Sequence, residues 1–253
     1  MFKLKVSIIT PVFNGSEFLE ATIDSVISQT YGEWEMLLVD DVSTDNSWDV
    51  IQSFVEKDAR IKGWRLPSNS GAAKARNFAI KQATGRFIAF LDDDDLWLPE
   101  KLQKQVEFSL ANSAVITHTN YEYMDASGKR LGKVIRAHKD VTYQEMLTCN
   151  YIGCLTAMYD TDKIGSKIYM PDISKRQDYA LWLNILRRGH HAYGLNEMLA
   201  LYRTGGNSLS KNKLSSAMYT FKVLTEIEGI SRLKAIHYFV KHLMLGIRKY
   251  YLS

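Results

Sequence analysis

The first half of the chain repeats one pattern: a short apolar run rich in β-branched residues, a polar turn, then apolar positions recurring every three or four residues. Residues 6–10 read as a strand, Pro11-Val12-Phe13-Asn14-Gly15 as a turn, and about 17–29 as a helix with Ser16 placed to cap it. A second strand over 35–39 ends in Asp40-Asp41, and Ser43-Thr44-Asp45 caps a helix over 46–57. The third strand, 61–66, is closed by Pro67-Ser68-Asn69-Ser70-Gly71 and followed by a helix over 72–83, built from good helix formers. Gly85 interrupts, and Phe87-Ile88-Ala89-Phe90-Leu91 is an apolar run of the kind buried on both faces of a sheet. Strands joined by helical crossovers of this length lie parallel with right-handed connections, so the loops after the first, second and fourth strands open on one edge. The predicted class is α/β, a Rossmann-like, mostly parallel central sheet flanked by helices.

That edge gathers Phe13, Asp41 and the four consecutive carboxylates Asp92, Asp93, Asp94 and Asp95. In water, adjacent carboxylates ~4 Å apart repel by roughly 1 kcal/mol per pair, and by more in a partly dry cleft, so a fold that gathers them there calls for a cation. Oxygen ligands on one short loop suit Mg²⁺ or Mn²⁺, which takes one or two protein carboxylates and completes its shell with phosphate and water. The alternative is a solvated acidic turn, but carboxyl ends of central strands are where open α/β sheets bind ligands. An aromatic ring at Phe13 suits stacking on a base, and a carboxylate at Asp41 suits a pyrimidine N–H or a ribose hydroxyl. Lys74 and Arg76, near the start of the helix after Gly71, could add positive charge toward phosphate; taken singly, Phe13 equally suits the core, Asp41 a turn, and Lys74 better suits a solvated surface. Neither a Gly-x-Gly-x-x-Gly fingerprint nor a Walker loop follows the first strand, which disfavours a nicotinamide dehydrogenase and a P-loop kinase.

In the second half, 114–119 reads as a strand, Asp125-Ala126-Ser127-Gly128 as a hairpin turn and 132–136 as the returning strand. The stretch from Gln177 to Leu186 has helical spacing, which puts Asp178 in the first turn, one turn before Trp182 on the same face. Taken alone, Asp178 also suits a carboxylate that merely complements the helix dipole. The polar loop 165–175 reads either as a flap over an acceptor or as plain surface.

Composition narrows the setting. A chain of 253 residues, 46% hydrophobic and 24% charged, favours one large globular domain. Two cysteines, Cys149 and Cys154, are too few for a disulfide framework and fit a reducing compartment. The first apolar run is too short for a signal peptide, so a cytoplasmic body is expected. The net charge of +4 is small, yet no Asp or Glu follows Glu228, while Arg232, Lys234, Lys241, Arg248 and Lys249 do. In the same tail Leu233, Ile236, Phe239, Val240, Leu243, Ile247 and Tyr250 recur at three and four. Such an amphipathic helix is too polar to span a bilayer; it suits either an anionic membrane face or the surface of the sheet domain.

Four stretches, taken in order, resemble the motifs of family-two glycosyltransferases, inverting sugar-nucleotide-dependent enzymes of the GT-A fold. They are Val6-Ser7-Ile8-Ile9-Thr10-Pro11-Val12-Phe13-Asn14, Leu38-Val39-Asp40-Asp41-Val42-Ser43-Thr44-Asp45, Asn69-Ser70-Gly71 with Ala75-Arg76-Asn77, and Leu91-Asp92-Asp93-Asp94-Asp95-Leu96-Trp97. The match is strong over about 4–110 and looser to about 210. The resemblance implies a GT-A domain over 1–210, with a nucleotide-sugar half (1–110) and an acceptor half (111–210), and a helical region over 211–253. It implies that Pro11, Phe13, Asp41, Gly71, Arg76, Asp92 and Asp93 bind the nucleotide sugar, Asp41 holding the uracil with Asp40 as the fallback. Asp94 and Asp92 would hold the Mn²⁺ or Mg²⁺ ion, and Asp178 would be the base. Trp97, Gln177, Trp182 and Arg203 would face the acceptor or the phosphates. Relatives commonly carry Glu-Asp where this chain has Gln177-Asp178, and many have a histidine where it has Gly205 or Gly206. The implied activity is inverting transfer of a hexose from a UDP-sugar to a hydroxyl of a polyprenyl-diphosphate-linked glycan, in bacterial O-antigen or capsule synthesis. The implied place is the cytoplasm, with the inner membrane surface as a partner and nucleic acid not. Two rivals are an idle nucleotide-sugar-binding subunit that tethers a partner to membrane, and a nucleotidyltransferase.

Overall fold

The computed structural model describes residues 4–205 and 213–251, with the side chains of 215–245 in the second stretch. The chain runs β1 (Val6–Val12), α1 (Ser16–Ile27), β2 (Trp34–Asp40), α2 (Ser47–Lys57), β3 (Ile61–Arg65), α3 (Ala72–Gln82), β4 (Phe87–Phe90), β5 (Leu96–Trp97), α4 (Lys101–Ala111), β6 (Ile116–Met124) and β7 (Arg130–Ile135). It continues β8 (Asp140–Val141), α5 (Tyr143–Thr148), β9 (Met158–Asp160), α6 (Thr161–Ile164), α7 (Gln177–Leu186), β10 (Ala192–Arg203), α8 (Lys213–Lys222), a π-helical turn at Val223–Ile227 and α9 (Arg232–Tyr251).

Among the described residues the strands form one sheet in the order β3-β2-β1-β4-β9-β6-β10-β5, with β7 beside β6 and β8 beside β10. The first four are mutually parallel; β9 is antiparallel to both β4 and β6, and β6 and β10 are parallel. Successive side chains of a strand point to opposite faces, and the central strands are apolar at both sets of positions. Ile8, Met36, Leu38 and Ala89 therefore pack with α1 and α2, while Ile9, Leu37, Val39 and Phe90 pack with α3 and α7. The chain leaves β1 toward β2 and β3, then returns to its other side as β4. That reversal opens a crevice at the carboxyl ends of β1 and β4, where ligands of open α/β sheets bind.

The amino-terminal edge is sealed by Glu35, 1% exposed, which accepts from Ser7 Oγ (2.7 Å), Thr84 N (2.7 Å), Lys5 Nζ (3.0 Å) and Lys62 Nζ (2.9 Å). Burial alone would raise its pKa; hydrogen bonds from Ser7, Thr84 and Lys62 win and hold it at about 2.

Several boundaries differ from the sequence expectation. β1 runs to Val12 because Pro11, in register opposite Val39, keeps an extended conformation at the cost of one ladder donor. Ser16 is not a cap: Gly15 holds that position, and the Ser16 N–H donates to Asp45 Oδ2 at 3.0 Å. The hairpin closes at Gly128 (φ 84), whose N–H reaches Asp125 O at 3.0 Å, with longer strands on both sides than the pattern suggested. The 165–175 loop is pinned by paired bonds between the Asn77 amide and the Met170 backbone, each 2.8 Å.

The tail docks on the domain through one strip of α9. Ala235 and His242 are buried, Phe239 meets Phe221 edge to face at 5.7 Å, and Tyr238 donates to Gln144 at 3.1 Å. Gly206, the expected boundary at 210, and the side chains of Ile247, Arg248, Lys249, Tyr250 and Tyr251 lie outside the described residues. Among those described, no helix is long and apolar enough to cross a membrane.

Candidate active site

The acidic loop leaves β4 in that crevice, and every carboxylate has a different environment. Asp92 pairs with the buried Arg76 through Nη2. Asp93 Oδ2 accepts the Phe13 N–H at 3.1 Å and lies so close to Gly15 that a Cβ at that position would collide with it. Asp95 is buried and accepts the Arg203 N–H at 2.8 Å. Thr22 Oγ1 donates to the carbonyls of Asp93 (3.1 Å) and Asp95 (3.0 Å), which fixes the loop backbone on α1.

Like charges in a half-dry site resist ionisation together. Burial and then Asp94 push Asp93 up to about 7; burial and then Asp92 push Asp94 up to about 6; burial and then Asp94 push Asp95 well above the usual carboxylate range. Burial disfavours the charge on Arg76, but Asp92 more than offsets it, so the guanidinium stays charged and its pKa rises. The loop thus carries more negative charge than its cations balance. Among the described residues no group of three or more His, Cys, Asp or Glu is arranged to cage an ion. The donor set fits a hard divalent cation that takes one or two carboxylates here and its remaining ligands from phosphate and water.

Beside this loop the ends of β1 and β2 present Phe13 and Asp41. Phe13 is 51% exposed, an uncommon setting for an aromatic whose backbone is held by Asp93 and, through the Asn14 N–H, by Ser43. Asp41, 3% exposed, clamps the next loop: Oδ1 accepts from Ser70 N and Oδ2 from Gly71 N, both at 2.7 Å. Gly71 has φ 88 and ψ 157, a conformation essentially reserved for glycine. Asp40, fully buried, pairs with Arg65 at 3.1 Å. Left-handed backbone at non-glycine residues occurs next to these groups, at Asn14 (φ 53), Val42 (φ 64) and Arg176 (φ 62). For a β-branched residue such as Val42 that is a true outlier, and such strain, about 1–3 kcal/mol per residue, clusters at working sites.

Arg176 is the entrance to α7, and Asp178 follows in its first turn, half-buried, with Gln177 buried beside it. The charge on Arg76 responds to both Asp92 and Asp178. Cys154 does the same: desolvation and then Asp92 push the thiol well up, with Asp178 adding to the effect. Trp182, one turn after Asp178, packs on Phe90, two residues before Asp92, so Asp178 and the acidic loop lie within electrostatic reach of the same guanidinium although they come from different halves of the chain.

Three expected site residues are placed otherwise than the sequence reading had them. Trp97 is core: its indole N–H donates to Leu155 O at 2.8 Å and Lys101 Nζ lies 3.5 Å over its ring. Trp182 is fully buried against Phe90, ring centroids 5.5 Å apart, because the face of α7 that carries it turns to the sheet. Arg203 is taken up by backbone and not turned out toward phosphate. Its Nε donates to Asp94 O (2.7 Å), its Nη1 to Ala126 O (2.9 Å), and its guanidinium stacks 4.3 Å from the Phe18 ring centroid. It clamps the acidic loop to the 125–128 turn. Pro11 is buried at the carboxyl end of β1, next to the exposed Phe13. Sequence reasoning missed Thr22, the place of Cys154 in the cleft and the role of Asp95, none of which carries a local pattern that would have marked it.

A mostly parallel α/β sheet with an acidic loop at its switch point is the architecture of the GT-A type, shared with solved structures of that class. Residues 7–166 match the family model described as Glycosyl transferase family 2, and the chain belongs to that family. It is 44% identical over 248 residues, 98% of each chain, to TuaG of Bacillus subtilis (strain 168), named for teichuronic acid biosynthesis. It is 37% identical, over 97% of this chain and 94% of the other, to the Escherichia coli UDP-Glc:alpha-D-GlcNAc-diphosphoundecaprenol beta-1,3-glucosyltransferase WfgD. In fold it is similar to S. aureus TarS 1-349 in complex with UDP-GlcNAc (TM-score 0.70, 18% identity, 94% of this chain and 71% of that one). It is also similar to the Pyrobaculum calidifontis mannosyltransferase PcManGT in complex with GDP-Man and Mn²⁺ (TM-score 0.70, 16% identity, 92% and 69%).

Proposed function

We propose that this chain transfers a hexose from a UDP-sugar, with inversion, to a hydroxyl of a glycan carried on a polyprenyl diphosphate. The observation that carries the reading is the acidic loop at the switch point of the sheet, with Asp92 paired to a buried Arg76 that also lies within electrostatic reach of Asp178. The relatives named for surface polysaccharide synthesis and for a diphosphoundecaprenol-linked acceptor support it.

In this reading Phe13 stacks on the uracil, and Asp41, already holding the Ser70 and Gly71 N–H groups, uses its remaining acceptor capacity on the base. Arg76 pairs with Asp92 and fixes its carboxylate at the donor side. Asp94, with Asp92, would hold Mn²⁺ or Mg²⁺, whose chemistry there is to neutralise charge on the departing diphosphate. Asp178 takes the proton of the acceptor hydroxyl as its oxygen attacks the anomeric carbon from the side opposite the diphosphate. Gln177 in place of a carboxylate leaves Asp178 without a second negative charge beside it. Such an enzyme works on the cytoplasmic face of the membrane that holds its acceptor.

The test is a screen of UDP-sugars with Mn²⁺ or Mg²⁺, following UDP release by slow hydrolysis and then transfer to a lipid-linked acceptor. Release of diphosphate in place of UDP identifies a nucleotidyltransferase and overturns the reading.

A further inference from the structure

Helix α9 has two apolar strips and uses only one of them on the domain. Ala235, Tyr238, Phe239 and His242 face inward. Leu233, Ile236, Val240, Leu243 and Met244 recur at the same helical spacing on another side, and all are exposed, Leu233 by 83% and Met244 by 66%. Arg232, Lys234 and Lys241 are exposed alongside this second strip. No carboxylate follows Glu228 to offset them.

We propose that this outward strip is a docking surface for an anionic lipid bilayer, an inference that rests on and extends the reading of a lipid-linked acceptor. An apolar strip with basic neighbours matches the two layers of such a surface, acyl chains below and anionic headgroups at the rim. A second copy of the chain fits less well. A two-fold contact through this strip brings Arg232, Lys234 and Lys241 of both copies together, and the helix itself carries no acid to pair them. Nucleic acid would satisfy the cations and leave the apolar strip in water.

The experiment is flotation of the full chain with vesicles of phosphatidylglycerol and phosphatidylcholine, compared with phosphatidylcholine alone. Binding should favour the anionic vesicles and weaken with salt. The double variant Val240→Glu, Met244→Glu changes only exposed side chains and should reduce binding by at least about tenfold. Lys234→Gln with Lys241→Gln should reduce binding and its salt dependence together. Slow UDP release should be unchanged in both. Equal binding by the Glu variant, or equal binding to neutral vesicles, overturns the proposal, as does a concentration-dependent dimer with no vesicle binding. Vesicle binding by a chain that releases no UDP leaves this proposal standing and removes the catalytic one.

Discussion

The two edges of the sheet treat carboxylates in opposite ways. At the amino-terminal edge Glu35 is buried and surrounded by donors, and its pKa falls to about 2. At the carboxyl edge Asp93 and Asp94 crowd one another in a half-dry loop, and their pKa values rise to about 7 and about 6. Burial acts in the same direction on all three; what differs is whether the fold supplies enough donors to overcome it. A fully partnered carboxylate ties strands together, whereas an under-compensated cluster keeps its affinity for something the protein does not contain.

The largest expected effect belongs to the carboxyl edge. Asp178→Asn should lower the transfer rate by about 10²- to 10⁴-fold, the range for a lost general base, with UDP binding by calorimetry unchanged. Intact transfer by this variant would remove Asp178 from the mechanism. At the other edge, Glu35→Gln should cost about 2–3 kcal/mol of unfolding free energy in denaturant titrations while the folded fraction keeps its catalytic rate.

Acid titration sharpens the contrast by sign. The Glu35 contribution is fully present above its unfolded pKa near 4.5 and is lost as pH falls toward about 2. It amounts to about 2–3 kcal/mol, because the lysines that help hold the carboxylate are part exposed and screened by solvent. Asp93 acts oppositely, since its folded pKa is raised: the metal-free chain gains stability as pH falls through about 7. Asp93→Asn should therefore stabilise the metal-free protein by about 1–2 kcal/mol at about pH 8, a gain that shrinks toward about pH 5 in thermal melts. Gly71→Ala should cost about 1–3 kcal/mol: a Cβ there meets nothing within 4 Å, so the whole loss comes from forcing an L residue to φ 88 and ψ 157. A loss much greater than that would mean the Asp41 clamp had opened.

The parallel half of the sheet was legible because β1, β2 and β4 carry unbroken apolar runs that end in polar turns. β10 was not: its ladder with β6 shifts register between Leu195 and Met198 and again before Ala200, which breaks the alternation that marks a strand. β5 and β8, two residues each, are too short to carry any period. At the site, the acidic loop stood out by residue type and Asp178 by resemblance. Their supports did not, because Arg203 reaches Asp94 across 109 positions and Thr22 reaches Asp93 across 71. Trp97 and Trp182 misled because a resemblance between motifs says nothing about which way a ring turns, and both rings turn into the core.

Strands from both halves of the chain belong to one hydrogen-bonded sheet, β4 joined to β6 through β9. The two halves of the chain consequently cannot swing apart like jaws, since that would tear the ladders between them. Loading and unloading must instead be left to the short connections around the rim, which makes those connections the place to look for control of turnover.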